Sequence, residues 1–402
     1  MKSNHWKTFS DAHGGQCSSA SLLRKSNASC HRFGTCSPAI VFYAAFLILA
    51  LPASSLTIIP TFDSSITNDP QAATIENTIN LAIQVYEASF SDPITVPIEF
   101  SEMSSGLGAS SVTWYYIPYS SYLAALTSHA TTAYDTNALA HLPNGPGNPV
   151  NGDQTMNIQT PTARALGFIG AQSPGQVDGT VYLNTSMMNL DRTSIDPRKF
   201  DLMAVASHEM DEVLGLYSAL NGLANGAPSP TGHIWPMDLF RYAQSQDGTR
   251  SFDTALATQS YFSLDGTNLL ARFNQKAGLD FGDWYGWVAG VIPQVQDSAT
   301  DAGTTPDLGI EKIALDVIGF TLVPSSLAPV FSTETSSNGT FNLTWSSVPA
   351  LSYQLQSNTN LASTTAWTNV GGPIIATNIT TSASDSIGPT SQKFYRAILL
   401  PP

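Results

Sequence analysis

Ser207-His208-Glu209-Met210-Asp211-Glu212-Val213-Leu214-Gly215 is the stretch on which the reading of this chain turns. Leu202, Val205, Ala206, Val213 and Leu216 recur at helical spacing around it, so a helix is expected from Pro197 to Leu220, closed by Asn221-Gly222. On that helix His208 and Glu212 stand four apart and share one face. An imidazole and a carboxylate so placed reach a single divalent metal. Glu209 sits one position round, where a general base acting on a metal-polarised water belongs. The pattern His-Glu-x-x-His carries two zinc-binding histidines; here Glu212 stands where the second would be. A carboxylate ligates zinc too, so the change does not by itself abolish a site, and the metal is a hypothesis. The plainer alternative is a surface helix with solvated acids.

A third ligand is needed, and two residues downstream are candidates. One is His233, in Thr231-Gly232-His233-Ile234-Trp235; the other is Asp238, in Met237-Asp238-Leu239-Phe240. The competing role for Asp238 is a cap or turn residue. The longer pattern His-Glu-x-x-His-x-x-Gly-x-x-His would place a third histidine at position 218, which is Ser218. His129 and His141 read as structural. Zinc is the expected cofactor, with calcium a second candidate compatible with the acidic composition.

The chain has 402 residues, 42% of them hydrophobic and only 11% charged, with a net charge of −14. A sizeable core is available, and a hydroxyl-rich surface suits a secreted, strand-rich protein. The acidic balance argues against nucleic acid and anionic membranes as partners. Residues 1–55 read as a signal peptide: a basic segment, the apolar run Ala39 to Leu51, and the small residues Ala53-Ser54-Ser55. That run falls short of the ~20 residues a membrane span needs, so no membrane association is expected after cleavage; an uncleaved N-terminal anchor is the competing reading. All three cysteines, Cys17, Cys30 and Cys36, lie before it. The mature chain then has neither a disulfide framework nor a thiolate zinc site.

Several elements frame the motif. Leu56 to Phe62 reads as a strand, and Asp69-Pro70 opens an amphipathic helix through Ile75, Ile79, Ile83 and Tyr86. Ile94, Val96, Ile98 and Phe100 alternate as a second strand; residues 118–142 read as one or two short helices; Gly179 to Asn184 is a third strand. A last helix, Leu308 to Ile318, stops at Gly319. Residues 56–322 thus form one domain and 323–330 a linker. In 331–402 short alternating runs such as Phe341 to Trp345, Tyr353 to Gln356 and Phe394 to Ile398 predict a small fibronectin-III-like β-sandwich.

Taken in order, Leu56 to Asp63, Asp178 to Asn184, His208 to Gly215, Asp238 to Tyr242, Asp280-Phe281-Gly282-Asp283-Trp284 and Ala314 to Phe320 resemble a family of secreted bacterial metalloproteases. That family is distantly similar to metzincins and matrixins and commonly carries glutamate at the place of Glu212. The resemblance implies an α+β metzincin-like zincin domain, with a twisted sheet and an active-site helix. It also implies a secreted zinc peptidase acting on peptide or protein substrates, with Glu209 catalytic and His208, Glu212 and either Asp238 or His233 on the metal. In such an enzyme the strand Gly179 to Asn184 is expected to take up an extended peptide, and Tyr217 or Tyr242 to assist at the oxyanion. Residues 331–402 resemble a module common on secreted proteins of the Verrucomicrobia, which implies a display or binding appendage. Two other classes stay open: a catalytically inactive adhesion or matrix-binding protein of the same fold, and a glycan hydrolase using Asp211/Glu212 or Asp280/Asp283. Extracellular or cell-surface location is expected in each case, and oligomeric state is left open.

Overall fold

The computed structural model describes residues 55–221, 232–255, 257–286, 293–337, 339–360, 367–386 and 392–402. The expected signal segment up to residue 54, its three cysteines and Gly222 lie outside them. Among the described residues the protein is mixed α/β, with seven helices and several small sheets.

Strand β1 (Thr57–Phe62) turns through the single-turn helix α1 (Ser64–Thr67), whose first turn is capped when Asp63 accepts from the Ser65 amide at 2.8 Å. Helix α2 (Ala72–Ser89) follows, burying Ile75, Ile79, Ile83 and Tyr86 along one stripe. It crosses to β2 (Thr95–Glu102), which lies parallel to β1 and buries Val96, Ile98 and Phe100 in alternation. Next come β3 (Gly108–Val112), β4 (Trp114–Pro118), α3 (Tyr119–His129) and α4 (Ala133–Ala140). The two short helices fall within the expected span, divided where Thr132 and Asp135 make a capping box. After β5 (Thr155–Gln159), antiparallel to β4, come α5 (Thr160–Ala165) and β6 (Gly179–Leu183).

The main sheet has the order β1-β2-β6-β3. β6 is parallel to β2, and β3 runs antiparallel to β6 at the sheet edge. This corrects one expectation: β6, the strand expected to receive a peptide, is paired on both sides, and β3 holds the free edge beside it.

Short strands β7 (Met188–Asn189) and β8 (Phe200–Asp201) lead into helix α6 (Leu202–Leu214), which packs on β3, β6 and α2. The helix is shorter than expected at both ends. Asp201 caps its start, accepting from the Ala204 amide at 3.1 Å. Gly215 ends it where a Cβ would collide with Ile318 and stand 2.9 Å from the Thr162 hydroxyl. Strands β9 (Arg241–Ala243), β10 (Ser260–Phe262) and β11 (Ala271–Arg272) then form a small antiparallel sheet. Helix α7 (Glu311–Ile318) stops at Gly319, whose φ of 131° suits a residue without a side chain.

Residues 323–330 do more than tether. Val323 donates to the Ser89 carbonyl at 2.8 Å, Lys312 Nζ to that of Ser326 at 3.1 Å, and Leu327 is buried. Among the described residues the remaining elements are strands: β12 (Phe331–Ser337), β13 (Thr340–Ser346), β14 (Ser352–Asn358), β15 (Thr368–Asn369), β16 (Ile374–Ile375), β17 (Thr380–Ser386) and β18 (Phe394–Leu399). They make two antiparallel sheets, β12-β13-β17 and one centred on β14. Leu343 and Trp345 are buried from the first sheet, Tyr353 and Leu355 from the second. Among the described residues no helix is long and apolar enough to cross a membrane.

Candidate functional site

Helix α6 presents His208, Glu209 and Glu212 to a cavity of about 470 Å³, whose other walls are β3, Tyr217, Asn221 and residues 278–283 and 295–300. His208 Nδ1 lies 2.9 Å from the Val295 carbonyl. A carbonyl only accepts, so Nδ1 is the donor of that bond and Nε2 is the ring nitrogen left for another partner. That Nε2 faces Asp283 Oδ1 at 3.7 Å. That separation is longer than a hydrogen bond, and both atoms are left available to a shared cation.

The third member of the group is therefore Asp283. Ligand atoms of His208, Glu212 and Asp283 lie within 4.8 Å of one another, and among the described residues no other cluster of three His, Cys, Asp or Glu does so. The two downstream residues expected to ligate do not join it. Asp238 is buried, and accepts from the Trp235 amide at 2.9 Å, the Ala219 amide at 3.0 Å and the Ser218 hydroxyl at 2.5 Å. This is the cap-like role, and it also accounts for Ser218. His233 pairs with Asp153 and packs edge-on to Tyr116. Of the other histidines, His129 bonds to Asp92 and His141 to the Asn137 carbonyl.

Asp283 is delivered by a braced loop. Arg241, fully buried, donates to the Phe281 carbonyl at 2.6 Å and the Asn274 carbonyl at 3.2 Å, and its guanidinium lies 4.3 Å over the Phe273 ring. Asn221 clips the same loop from α6's side, donating to Asp280 at 2.8 Å and accepting from the Phe281 amide at 2.6 Å. Gly282 lets the loop approach closely: a Cβ there would stand 3.2 Å from the Ser218 nitrogen. The Asp238–Tyr242 segment thus contributes a brace, Arg241, rather than a ligand.

The edge strand closes the other side. Ser110 donates to Glu212 Oε2 at 2.5 Å. Any side chain at Gly108 would run into the Glu209 carboxylate and stand 2.9 Å from Val205. Neither residue stood out in the sequence: Gly-Ala-Ser-Ser-Val is a poor strand former.

The electrostatics are one-sided. Among the described residues the cavity is lined by Asp201, Glu209, Glu212, Asp280, Asp283 and Asp297, with His208 and no Lys or Arg; Asp201 pairs with Arg192 behind the wall at 2.7 Å. Burial, then the nearby acids, pushes Glu209, Glu212 and Asp283 well above the ordinary carboxylate range. Asp297, farther along the wall, is pushed up to about 7, mainly by burial. A divalent cation among them would reverse that shift. The donor set, one imidazole nitrogen and two carboxylates with an open cavity in front, suits zinc, which takes three protein ligands and leaves one position free. Calcium, with its six to eight oxygen ligands, fits it less well.

Comparison of the chain with protein-family models, with curated proteins and with solved structures finds no match.

Proposed function

We propose that this protein is a secreted zinc-dependent peptidase. The observation that carries the reading is Glu209 standing beside the His208–Glu212–Asp283 group, with the free edge of β3 passing directly over it. Zinc held by those three residues would polarise a water and bring its pKa toward neutrality. Glu209 takes no hydrogen bond among the described residues, and its raised pKa suits a group that accepts a proton and later hands it to the leaving amine. An extended peptide adds to the edge of β3 through main-chain hydrogen bonds, which sets its scissile carbonyl over the cavity. Tyr217 lines the cavity, and burial pushes its phenol up to about 12, so it stays a hydrogen-bond donor for the developing oxyanion. Tyr242 lies outside the cavity lining, as does Asp211, whose carboxylate accepts from Tyr86 at 2.8 Å.

In this reading residues 56–322 are a metzincin-like domain in which Asp283 replaces the third histidine. Residues 331–402 are a fibronectin-III-like module that attaches or displays the enzyme outside the cell. The test is metal analysis and proteolysis on the purified protein. One zinc per chain is expected, and Glu209→Gln retains it while hydrolysis of a denatured protein substrate falls by about 10³-fold. A protein that takes up no zinc overturns the proposal.

A further inference from the structure

We propose that Glu311, the first residue of α7, is a positioning residue for the candidate metal site and acts on His208 through a single peptide group. The metal in this inference rests on the peptidase reading; the chain of contacts does not.

Glu311 is fully buried, at 0% exposure. Its Oε1 accepts from the Gln296 backbone amide at 3.1 Å and from the Trp284 indole at 3.0 Å, and its Oε2 accepts from the Gly309 amide at 2.8 Å. Lys312, next in the chain, donates to the Ser326 carbonyl instead. Three N–H groups and the start of a helix therefore hold this carboxylate.

The Gln296 N–H belongs to the planar peptide group whose carbonyl is that of Val295. That carbonyl is the one 2.9 Å from His208 Nδ1. An unbroken chain thus runs from the Glu311 carboxylate to an N–H, across one amide, and from its C=O to the imidazole. Hydrogen bonds in series polarise one another. Negative charge at the N–H end makes the carbonyl a stronger acceptor, and a stronger acceptor at Nδ1 makes Nε2 a more basic ligand. A carboxylate bonded directly to a metal-binding histidine has the same effect; here one peptide group stands between them. The same residue also steadies Asp283. Gln296 Nε2 donates to Asp283 Oδ1 at 2.9 Å, and the Gln296 carbonyl accepts from the Trp284 amide at 2.8 Å. Holding the Val295–Gln296 peptide in place therefore holds a contact to each of two metal-facing residues, whereas Glu212 is met separately by Ser110.

The experiment compares the full-length parent with Glu311→Gln and Trp284→Phe. Glu311→Gln removes the charge that drives the relay. Trp284→Phe removes another donor from the same oxygen and leaves the relay standing, so it reports what loosening alone does. Three quantities are read: Tm, zinc affinity by competition with a chromophoric chelator, and the NMR resonance of the His208 Nδ1 proton in metal-free protein. Glu311→Gln is expected to weaken zinc binding about ten-fold and to move the Nδ1 proton upfield. Trp284→Phe is expected to leave that proton in place and to weaken zinc less, whatever its Tm. An unmoved Nδ1 proton or an unchanged zinc affinity in Glu311→Gln, or an equal loss of affinity in the two variants, overturns the proposal. If Glu311→Gln does not fold, the metal-free parent decides. Scalar couplings across the hydrogen bonds are expected between the Gln296 amide nitrogen and the Glu311 carboxyl carbon, and between His208 Nδ1 and the Val295 carbonyl carbon; absence of either overturns the proposal. A parent that takes up no zinc, with the Nδ1 proton still displaced in Glu311→Gln, counts against the peptidase reading alone.

Discussion

Two groups of buried acids in this protein look alike in composition and differ in how their oxygens are used. At the junction of α3, α4 and α7, Asp92 accepts from His129 at 2.9 Å, the Thr321 hydroxyl at 3.0 Å and the Thr321 amide at 2.8 Å. Asp135 accepts from the amides of Thr131 and Thr132, and Asp316 from the Leu322 amide at 3.0 Å and the Thr132 hydroxyl at 2.6 Å. The bond to Asp92 raises the pKa of His129. In the cavity, Glu212 has Ser110, Asp283 has Gln296 at 2.9 Å, and Glu209 has no donor among the described residues. Acids saturated by backbone amides and hydroxyls are fasteners. Acids with at most one donor each, turned toward a cavity beside an imidazole, are the pattern the proposed cation site requires.

The strongest way to break that distinction is to take one carboxylate charge from each group. Asp283→Asn is expected to weaken zinc binding by at least ~10²-fold, read by competition with a chromophoric chelator. Asp316→Asn leaves zinc affinity at the wild-type level. A cavity variant that binds zinc normally, or a junction variant that does not, would show that hydrogen-bond saturation fails to separate the two groups.

Much of the cavity side was legible in the sequence, for a local reason. A four-residue spacing on a helix is fixed by the helix, so His208, Glu209 and Glu212 could be placed together. The third member of the proposed metal group was not legible, because loop contacts bring Asp283 in: Arg241, Asn221 and the close approach at Gly282 do this, and none has a period. His233 and Asp238 looked better for being nearer in sequence. The Asp280-to-Trp284 run did stand out, yet its acids suggested a pair for glycan hydrolysis rather than a ligand. β1, β2, β6 and α2 followed from alternation and helical spacing. β3 did not, being small and polar, although it brings Gly108 and Ser110 to the site. At the junction nothing in the sequence tied Asp92, Asp135 and Asp316 together.

The pH dependence of stability sharpens the contrast. Burial, then Asp135, pushes Asp316 up to about 7, and Asp297 on the cavity wall is also pushed up to about 7. A carboxyl raised in the folded state holds its proton there at pH values where the unfolded chain, near 4, has released it. Its contribution is therefore complete below about pH 4 and is lost as pH rises through about 7. Metal-free protein should lose stability from pH 5 to pH 8 in urea titrations. Asp316→Asn should remove on the order of 2 kcal/mol of that loss. Saturating zinc should remove a different part, the cavity's, and leave the Asp316 part in place. If zinc flattens the profile of wild type and Asp316→Asn to the same line, the junction acids are not an independent titrating unit.

The smallest effect concerns Ser110, the one donor on Glu212 Oε2 among the described residues. In Ser110→Ala that oxygen loses its partner, while the three metal-facing residues keep their charge and their backbone positions. In the zinc reading the serine orients a proposed ligand rather than supplying one, and groups of that kind typically tune metal affinity by about ten-fold. Zinc binding should therefore weaken by about that factor, well short of the Asp283→Asn loss, with the chelator competition as the measure. The sign in the metal-free protein is the informative part. Loss of the hydroxyl raises the Glu212 pKa further, so the cavity acids hold their shared protons to higher pH. Zinc uptake, which must displace those protons, should then shift toward alkaline pH in Ser110→Ala. A drop in affinity with no such shift would mean that β3 acts on the site through packing at Gly108 and not through the hydrogen bond to Glu212.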